Sequence, residues 1–289
     1  MIWILLVLFY GIAKGVRDAV KKKALTKNSV MEVLFVYTFL AFLFCIPEFP
    51  KAVTGFPPKY FFLIAIKSFV IFIAWIWSFR AIDHVPISIY GVLDLSRIIF
   101  STLFGMFVLG EKATVFSVTG FLLVLAGLVF LQLYPVWRGR GDPGAFKEDR
   151  IRKKYLFMIL GSCLLNAVSG CLDKVYTKEI NSSQLQFWYM LFLVILYGLY
   201  FVIRHIRIPR SVWKNGWIWL LSILFFTADR ALFIANENPD SKLMIMTLIK
   251  QSACVVSILA GKFVFREKNI GYKLVSAGIV LTGIVVSVI

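Results

Sequence analysis

The sequence predicts an all-α integral membrane protein, with ten transmembrane helices in a five-plus-five inverted-topology repeat. Composition is the first reason: of 289 residues, 60% are hydrophobic and only 16% are charged, and the mean hydropathy is +0.84. A soluble domain usually has about 45–50% apolar and about 25% charged residues. The other two reasons are ten apolar segments along the chain and a similarity between its halves. This composition does not fit a soluble globule, a single-anchor protein or a large extramembrane domain.

Each membrane-spanning helix needs about 20 mostly apolar residues. The ten segments are predicted at residues 2–20, 31–48, 60–80, 86–109, 114–134, 154–177, 185–203, 214–236, 240–265 and 270–289. The first lacks a basic leading region and a small-residue cleavage site, so we interpret it as a retained helix and not as a signal peptide. Prolines mark later boundaries, because Pro58 lies in the second loop, Pro86 opens the fourth span and Pro239 precedes the ninth.

A polar stretch divides the chain into two halves. Residues 138–153 are rich in Gly, Pro and charge and are interpreted as a basic linker, with the first five-helix repeat at 1–137 and the second at 154–289. Three matches occur in the same order: FVLGEK (107–112) with FVFREK (263–268), KGVRDAVKKKAL (14–25) with SGCLDKVYTKEI (169–180), and FRAID (79–83) with FIANE (233–237). Chance similarity between apolar helices does not readily explain the matching polar residues. Because five spans is an odd number, the second half would enter the membrane inverted, as in many secondary transporters.

Ten spans, a five-plus-five repeat and a short GEK or REK after the fourth span of each half resemble the drug/metabolite transporter superfamily, EamA-type. The resemblance covers the whole chain, but its motifs do not identify a substrate. It implies a secondary transporter working without ATP, in a superfamily whose members move amino acids, nucleotide sugars or sugar phosphates. It also implies a substrate cavity lined mainly by the first, third and fourth helices of each half, with the fifth helices at the periphery.

A net charge of +17 would suit a protein that binds nucleic acid. The basic residues lie mostly between apolar segments, however, so no nucleic-acid partner is predicted. Counted with the first three residues of the following span, loops after odd-numbered spans hold seventeen Lys and Arg residues, and loops after even-numbered spans hold five. The positive-inside rule therefore predicts a multi-pass protein of the plasma (inner) membrane, with linker 138–153 in the cytoplasm and both termini outside. Several relatives are thought to have both termini inside, so this orientation departs from theirs.

Charged side chains in a bilayer are costly, by about 2.5–3.5 kcal/mol on insertion scales, and usually face protein or a wet cavity. Residues spaced at i, i+3, i+4 and i+7 share a helix face. On these grounds the predicted substrate-binding residues are Tyr10, Lys14, Lys67, Trp77, Tyr90, Asp94, Arg97, Asp229, Arg230 and Lys250. Structural ion pairs between helices are the alternative. Asp94 and Lys250 occupy equivalent repeat positions, so this acid and this base are expected to approach each other near the midplane.

Charged residues nearer the span ends fit a gate or coupling role and a place at the membrane interface equally well. They are Arg17, Asp18, Arg80, Asp173 and Glu237. The motif formed by Gly11 and Gly15 allows close helix approach, and packing within the bundle is favoured over dimerisation. A monomer or weak homodimer is therefore predicted.

No catalytic constellation is visible. The two histidines form no metalloprotease motif, and no nucleophile elbow, Walker loop or CxxC occurs. The four cysteines all lie in apolar stretches and are interpreted as packing residues. We therefore predict a protein that is not an enzyme, with no metal and no cofactor.

The function predicted from these features is alternating-access transport of a small anionic or zwitterionic metabolite. Basic residues outnumber acidic ones among the deeper charges, which favours a carboxylate or phosphate group on the substrate. The partners would be this small molecule and membrane lipid. The alternatives are an exporter of lipophilic or quaternary cations, which acidic residues without basic partners would favour, and a lipid translocase or membrane scaffold on the same fold.

Overall fold

A computed structural model describes residues 2–110, 115–138, 153–205, 207–267 and 269–288, and within these ranges the chain is helical with no strand. The helices are α1 (Ile2–Leu25), α2 (Val30–Cys45), α3 (Phe49–Val53), α4 (Lys59–His84), α5 (Ile87–Leu93), α6 (Arg97–Phe107), α7 (Val115–Arg138), α8 (Lys153–Tyr176), α9 (Ser182–Arg204), α10 (Arg210–Trp213), α11 (Gly216–Glu237), α12 (Leu243–Lys250), α13 (Ser252–Phe263) and α14 (Ile270–Val288). Short 3-10 turns lie at Ile46–Glu48 and Asp94–Ser96. Most of the predicted linker, from 139 to 152, lies outside the described residues.

The predicted all-α membrane fold is confirmed. Within the described ranges, seven stretches are long and apolar enough to cross a membrane, and they correspond to the predicted second, third, fourth, sixth, seventh, eighth and ninth spans. The other three predicted spans coincide with α1, α7 and α14. Helix α1 carries a charged C-terminal half, whereas the apolar parts of α7 and α14 are shorter, at Val118–Gly127 and Ile270–Gly283. The count of ten spans stays a prediction.

The fourth helix of each predicted repeat changes its hydrogen-bonding pattern midway. In the first half, the 3-10 turn Asp94–Ser96 separates α5 from α6, and in the second half Gln251 separates α12 from α13. These interruptions fall at matching places when FVLGEK is aligned with FVFREK. A 3-10 segment inside a helix often marks a functional site or a hinge.

Both fourth helices also end in the same way. The backbone N–H groups of Val108 and Leu109 bond to Phe104 O, and those of Val264 and Phe265 bond to Ala260 O. The next residue is left-handed in each half, because Gly110 has φ +69° and Arg266 has φ +52°. The two matched motifs therefore mark the same helix-terminating turn.

Helix packing is reciprocal between the halves. Helix α1 packs on α11 and α13, and its counterpart α8 packs on α4 and α6. Helices α7 and α14 pack on each other, where a Cβ added at Gly127 would lie 2.6 Å from Val280 Cγ2 and one at Gly283 would lie 2.7 Å from Gly120 O. These contacts are the ones expected if a two-fold axis relates the halves.

Candidate functional site

A cavity of about 90 Å³ lies in the middle of the helix bundle, where the two halves meet. Most of its lining comes from the first, third and fourth helices of each half, which are α1, α4, α5, α6, α8, α11 and α12. Ten residues with a predicted site role line it: Tyr10, Lys14, Arg17, Asp18, Lys67, Tyr90, Arg97, Asp173, Asp229 and Lys250.

The close approach of α1 to the second half places its polar face in the cavity. Gly11 packs against Ser252 Oγ and Ile249 O, and a Cβ added at Gly15 would lie 2.5 Å from Val256 Cβ. The sequence motif of these two glycines therefore serves packing within the bundle. Tyr10 and Lys14, which alternate with the glycines, consequently face the cavity.

One carboxylate is shared by two basic residues. Lys14 Nζ pairs with Asp94 Oδ2, and Arg97 Nη2 lies 3.0 Å from Asp94 Oδ1. Asp94 is 3% exposed and stands outside the set of lining residues. The expected approach of Asp94 to Lys250 is not among the contacts of the described residues, because Lys14 and Arg97 occupy both carboxylate oxygens.

Three further ion pairs border the cavity, and two of them join the halves. Arg17 Nη1 lies 3.1 Å from Asp229 Oδ1, which links α1 to α11, and Lys67 Nζ lies 2.8 Å from Asp173 Oδ1, which links α4 to α8. The third pair joins Lys21 Nζ to Asp18 Oδ1 at 2.9 Å within α1.

Aromatic rings surround two of these basic groups. Lys67 Nζ lies 3.7 Å from the centroid of the Tyr189 ring, and Arg17 Cζ lies 5.0 Å from that of Phe225. A cation over an aromatic face gains electrostatic attraction in a poorly hydrated site. Arg17, Asp18 and Asp173 were predicted near span ends, but the structure places them in the cavity wall.

Lys250 differs from the other cavity cations. No ion pair or hydrogen bond joins its ammonium group to the described residues, and the centroid of the Tyr10 ring lies 5.7 Å from Nζ. Lys250 is the last residue of α12, at the interruption of the second fourth helix.

Besides Asp94, four predicted site residues lie outside the cavity lining. The Trp77 ring packs on Gly161 and Phe157, and Arg230 Nη2 lies 3.2 Å from Glu48 Oε2 and 2.8 Å from Ser183 Oγ. Arg80 and Glu237 are exposed. The Glu237 carboxylate accepts from the backbone N–H of Ser182, the first residue of α9, which is a helix-capping contact.

The sequence prediction missed several lining residues. Lys21 follows Lys14 and Arg17 at helical spacing, so the pattern could have identified it. Tyr37 and Tyr189 come from the second helices, where no charged neighbour marks them. The four cysteines are buried, and no cluster of metal-ligating side chains occurs among the residues described.

Comparison with known proteins agrees with this architecture. Residues 1–133 match the model of the EamA-like transporter family, which is not an enzyme family. A solved structure, described only as the crystal structure of a protein, is similar with a TM-score of 0.66 and 16% identity, over 97% of this chain and 95% of that one; at this identity the likeness concerns the fold alone. No curated protein matches the chain. The first part of the chain, residues 1–133, is thus similar to the EamA-like transporter family of the drug/metabolite transporter superfamily, and this match and the apolar helices support a multi-pass membrane protein.

Proposed function

We propose that the chain is a secondary transporter that moves a small anionic or zwitterionic metabolite across the plasma membrane by alternating access. The cavity at the centre of the bundle is the substrate site. Its residues come from both halves, so a movement of one half against the other would change which side of the membrane the site faces. The reciprocal packing of α1 with α11 and of α8 with α4 supports such an exchange.

The charge of the substrate follows from how the cavity charges are paired. Asp18, Asp173 and Asp229 each have a basic partner, and Asp94 has two. Lys250 has no acidic partner among the described residues. A cationic substrate would meet carboxylates that already have basic partners, whereas the unpaired ammonium group can form a charge-assisted hydrogen bond to an anionic group of a ligand. Lys250 is the observation that carries the proposal.

The remaining predictions complete the proposal. Linker 138–153 is cytoplasmic and both termini are outside, because the basic residues are concentrated in the loops after odd-numbered spans. The halves 1–137 and 154–289 form the two repeats, and the protein acts as a monomer or weak homodimer.

Reconstitution into liposomes tests the proposal. Uptake should be measured for pools of labelled amino acids, organic acids and phosphorylated compounds, with tetraphenylphosphonium as the cation and a fluorescent phospholipid for lipid movement. We expect uptake from an anionic or zwitterionic pool. Lys250→Met should lower it at least tenfold, because the substrate anion then loses its unpaired cation.

Lys262→Met is the matched control, because Lys262 is an exposed lysine on the adjacent helix α13. It should leave uptake within about twofold of the unmodified protein. Tight binding of tetraphenylphosphonium without response to carboxylates or phosphates would establish the cation exporter instead. Movement of the phospholipid alone would establish the lipid translocase.

A further inference from the structure

The excess positive charge of the cavity lies at one end. Lys14 and Arg97 share the carboxylate of Asp94, Lys250 lines the same cavity, and we call these four residues the cationic end. Lys250 lies within electrostatic range of Lys14 and Arg97. The other cavity charges are matched one to one, as Lys21 with Asp18, Arg17 with Asp229 and Lys67 with Asp173.

Two groups at the cationic end have unused capacity to bind an anion. The ammonium group of Lys250 has no ionic partner in the described part of the chain, and Arg97 Nε is buried there without a hydrogen-bond partner. Asp173 and Asp229 are also within electrostatic range of Lys250, but their carboxylates lie 2.8 Å from Lys67 Nζ and 3.1 Å from Arg17 Nη1 respectively. Lys250 and Arg97 come from the interrupted fourth helices of opposite halves.

We infer that the cationic end binds a doubly charged oxyanion, so that the substrate is a small phosphorylated compound. This inference rests on the proposed function and narrows its substrate class. Three cations against one carboxylate leave an excess of two positive charges. A phosphate monoester carries a charge of about −1.5 to −2 near neutral pH and presents three acceptor oxygens. A monocarboxylate would compensate only half of the excess, and a zwitterion has no net charge to compensate it.

The rest of the cavity suits an uncharged organic body. Beyond the cationic end, its charges are already paired, and Trp75, Tyr37 and Phe225 provide aromatic surface. A cavity of about 90 Å³ restricts this body to a small one.

Thermal unfolding of the purified full chain tests the inference with inorganic phosphate, sulfate, acetate and glycine at matched ionic strength. A ligand that binds the folded state raises the unfolding midpoint with its concentration. We expect apparent Kd values for phosphate and sulfate at least tenfold lower than those for acetate and glycine. Lys250→Met should raise the phosphate Kd at least tenfold, and Arg97→Gln should raise it more than Arg97→Lys. Lys262→Met should leave it within twofold.

Glycine or acetate binding as tightly as phosphate to the unmodified protein would overturn the inference, and this comparison needs no variant to fold. An unchanged phosphate Kd in a folded Lys250→Met protein would also overturn it. The proposed function fails separately. If liposomes take up a zwitterion in a Lys250-dependent way, the transporter proposal stands and the doubly charged substrate falls. If phosphate binds through Lys250 but no compound is transported, the binding site for a doubly charged oxyanion stands and the transporter proposal falls.

Discussion

Asp94 is the most heavily engaged acidic side chain of the cavity region. Its two oxygens face Lys14 and Arg97, so one carboxylate compensates two cations. Asp94 is buried, with only 3% of its surface exposed. Removing one member of a buried ion pair leaves an uncompensated charge, which typically costs about 3–5 kcal/mol. Asp94 therefore holds Lys14 and Arg97 in their positions at the cavity.

A double-mutant cycle measures this pairing. Asp94→Asn and Lys14→Met should each lower the unfolding midpoint or transport, and the double variant should be less impaired than the sum of the two, with a coupling of about 1–3 kcal/mol. The cycle of Asp94→Asn with Lys250→Met is the matched comparison. It should be additive within about 0.5 kcal/mol, because the structure shows no contact between Asp94 and Lys250. Larger coupling to Lys250 than to Lys14 would contradict the observed ion pairs.

Helical spacing found much of the candidate site in the sequence because polar residues are rare in these helices. Tyr10, Lys14 and Arg17 recur at i, i+4 and i+7, and all three line the cavity. Among the aromatic residues of the third span, the sequence prediction selected Trp77. The structure places Trp75 in the lining, whereas Trp77 packs on Gly161, and that depends on the position of a neighbouring helix.

The equivalent ends of the two fourth helices show which parts of an element its sequence determines. At the motifs FVLGEK and FVFREK, the two helices end with the same pattern of backbone hydrogen bonds. The fourth residue of each motif has a left-handed backbone conformation, and this residue is Gly110 in one half and Arg266 in the other. Glu267 then accepts from the backbone N–H of Ile87 at 2.6 Å and from Ser88 Oγ, at the start of α5. The matching motifs account for the common turn, but the contact with α5 depends on how the halves dock.

Arg266→Gly tests the turn. An L-residue in the left-handed region costs roughly 1–2 kcal/mol, and glycine avoids that cost. We expect Arg266→Gly to raise the unfolding midpoint or leave it unchanged, although the unfolded state also gains freedom. Arg266→Ala is the control, because it removes the same exposed side chain and keeps the backbone strain. Gly110→Val should lower the midpoint. Equal midpoints for the Gly and Ala variants would show that the strained turn does not limit stability.

At the scale of the molecule, the two ion pairs that join the halves at the cavity follow the predicted symmetry only in part. Arg17 with Asp229 links α1 to α11, and Lys67 with Asp173 links the counterparts α4 and α8. The element pairs are equivalent, but the charged residues occupy different positions on them. The apolar segments predicted the helices, and the matching sequence motifs predicted the repeat. Which side chains meet could not be predicted, because it depends on the depth and rotation of packed helices.

Orientation in the membrane is the last whole-molecule property that the sequence predicts. The four native cysteines are buried, so their replacement by Ala gives a background without exposed thiols. In that background, Gly141→Cys in the basic linker should resist an impermeant maleimide in intact cells and react after permeabilisation. Thr54→Cys is the control, because Thr54 is exposed in the loop after an even-numbered span and should react in intact cells. Seventeen basic residues against five favour this orientation. Labelling of Gly141→Cys with protection of Thr54→Cys would reverse it.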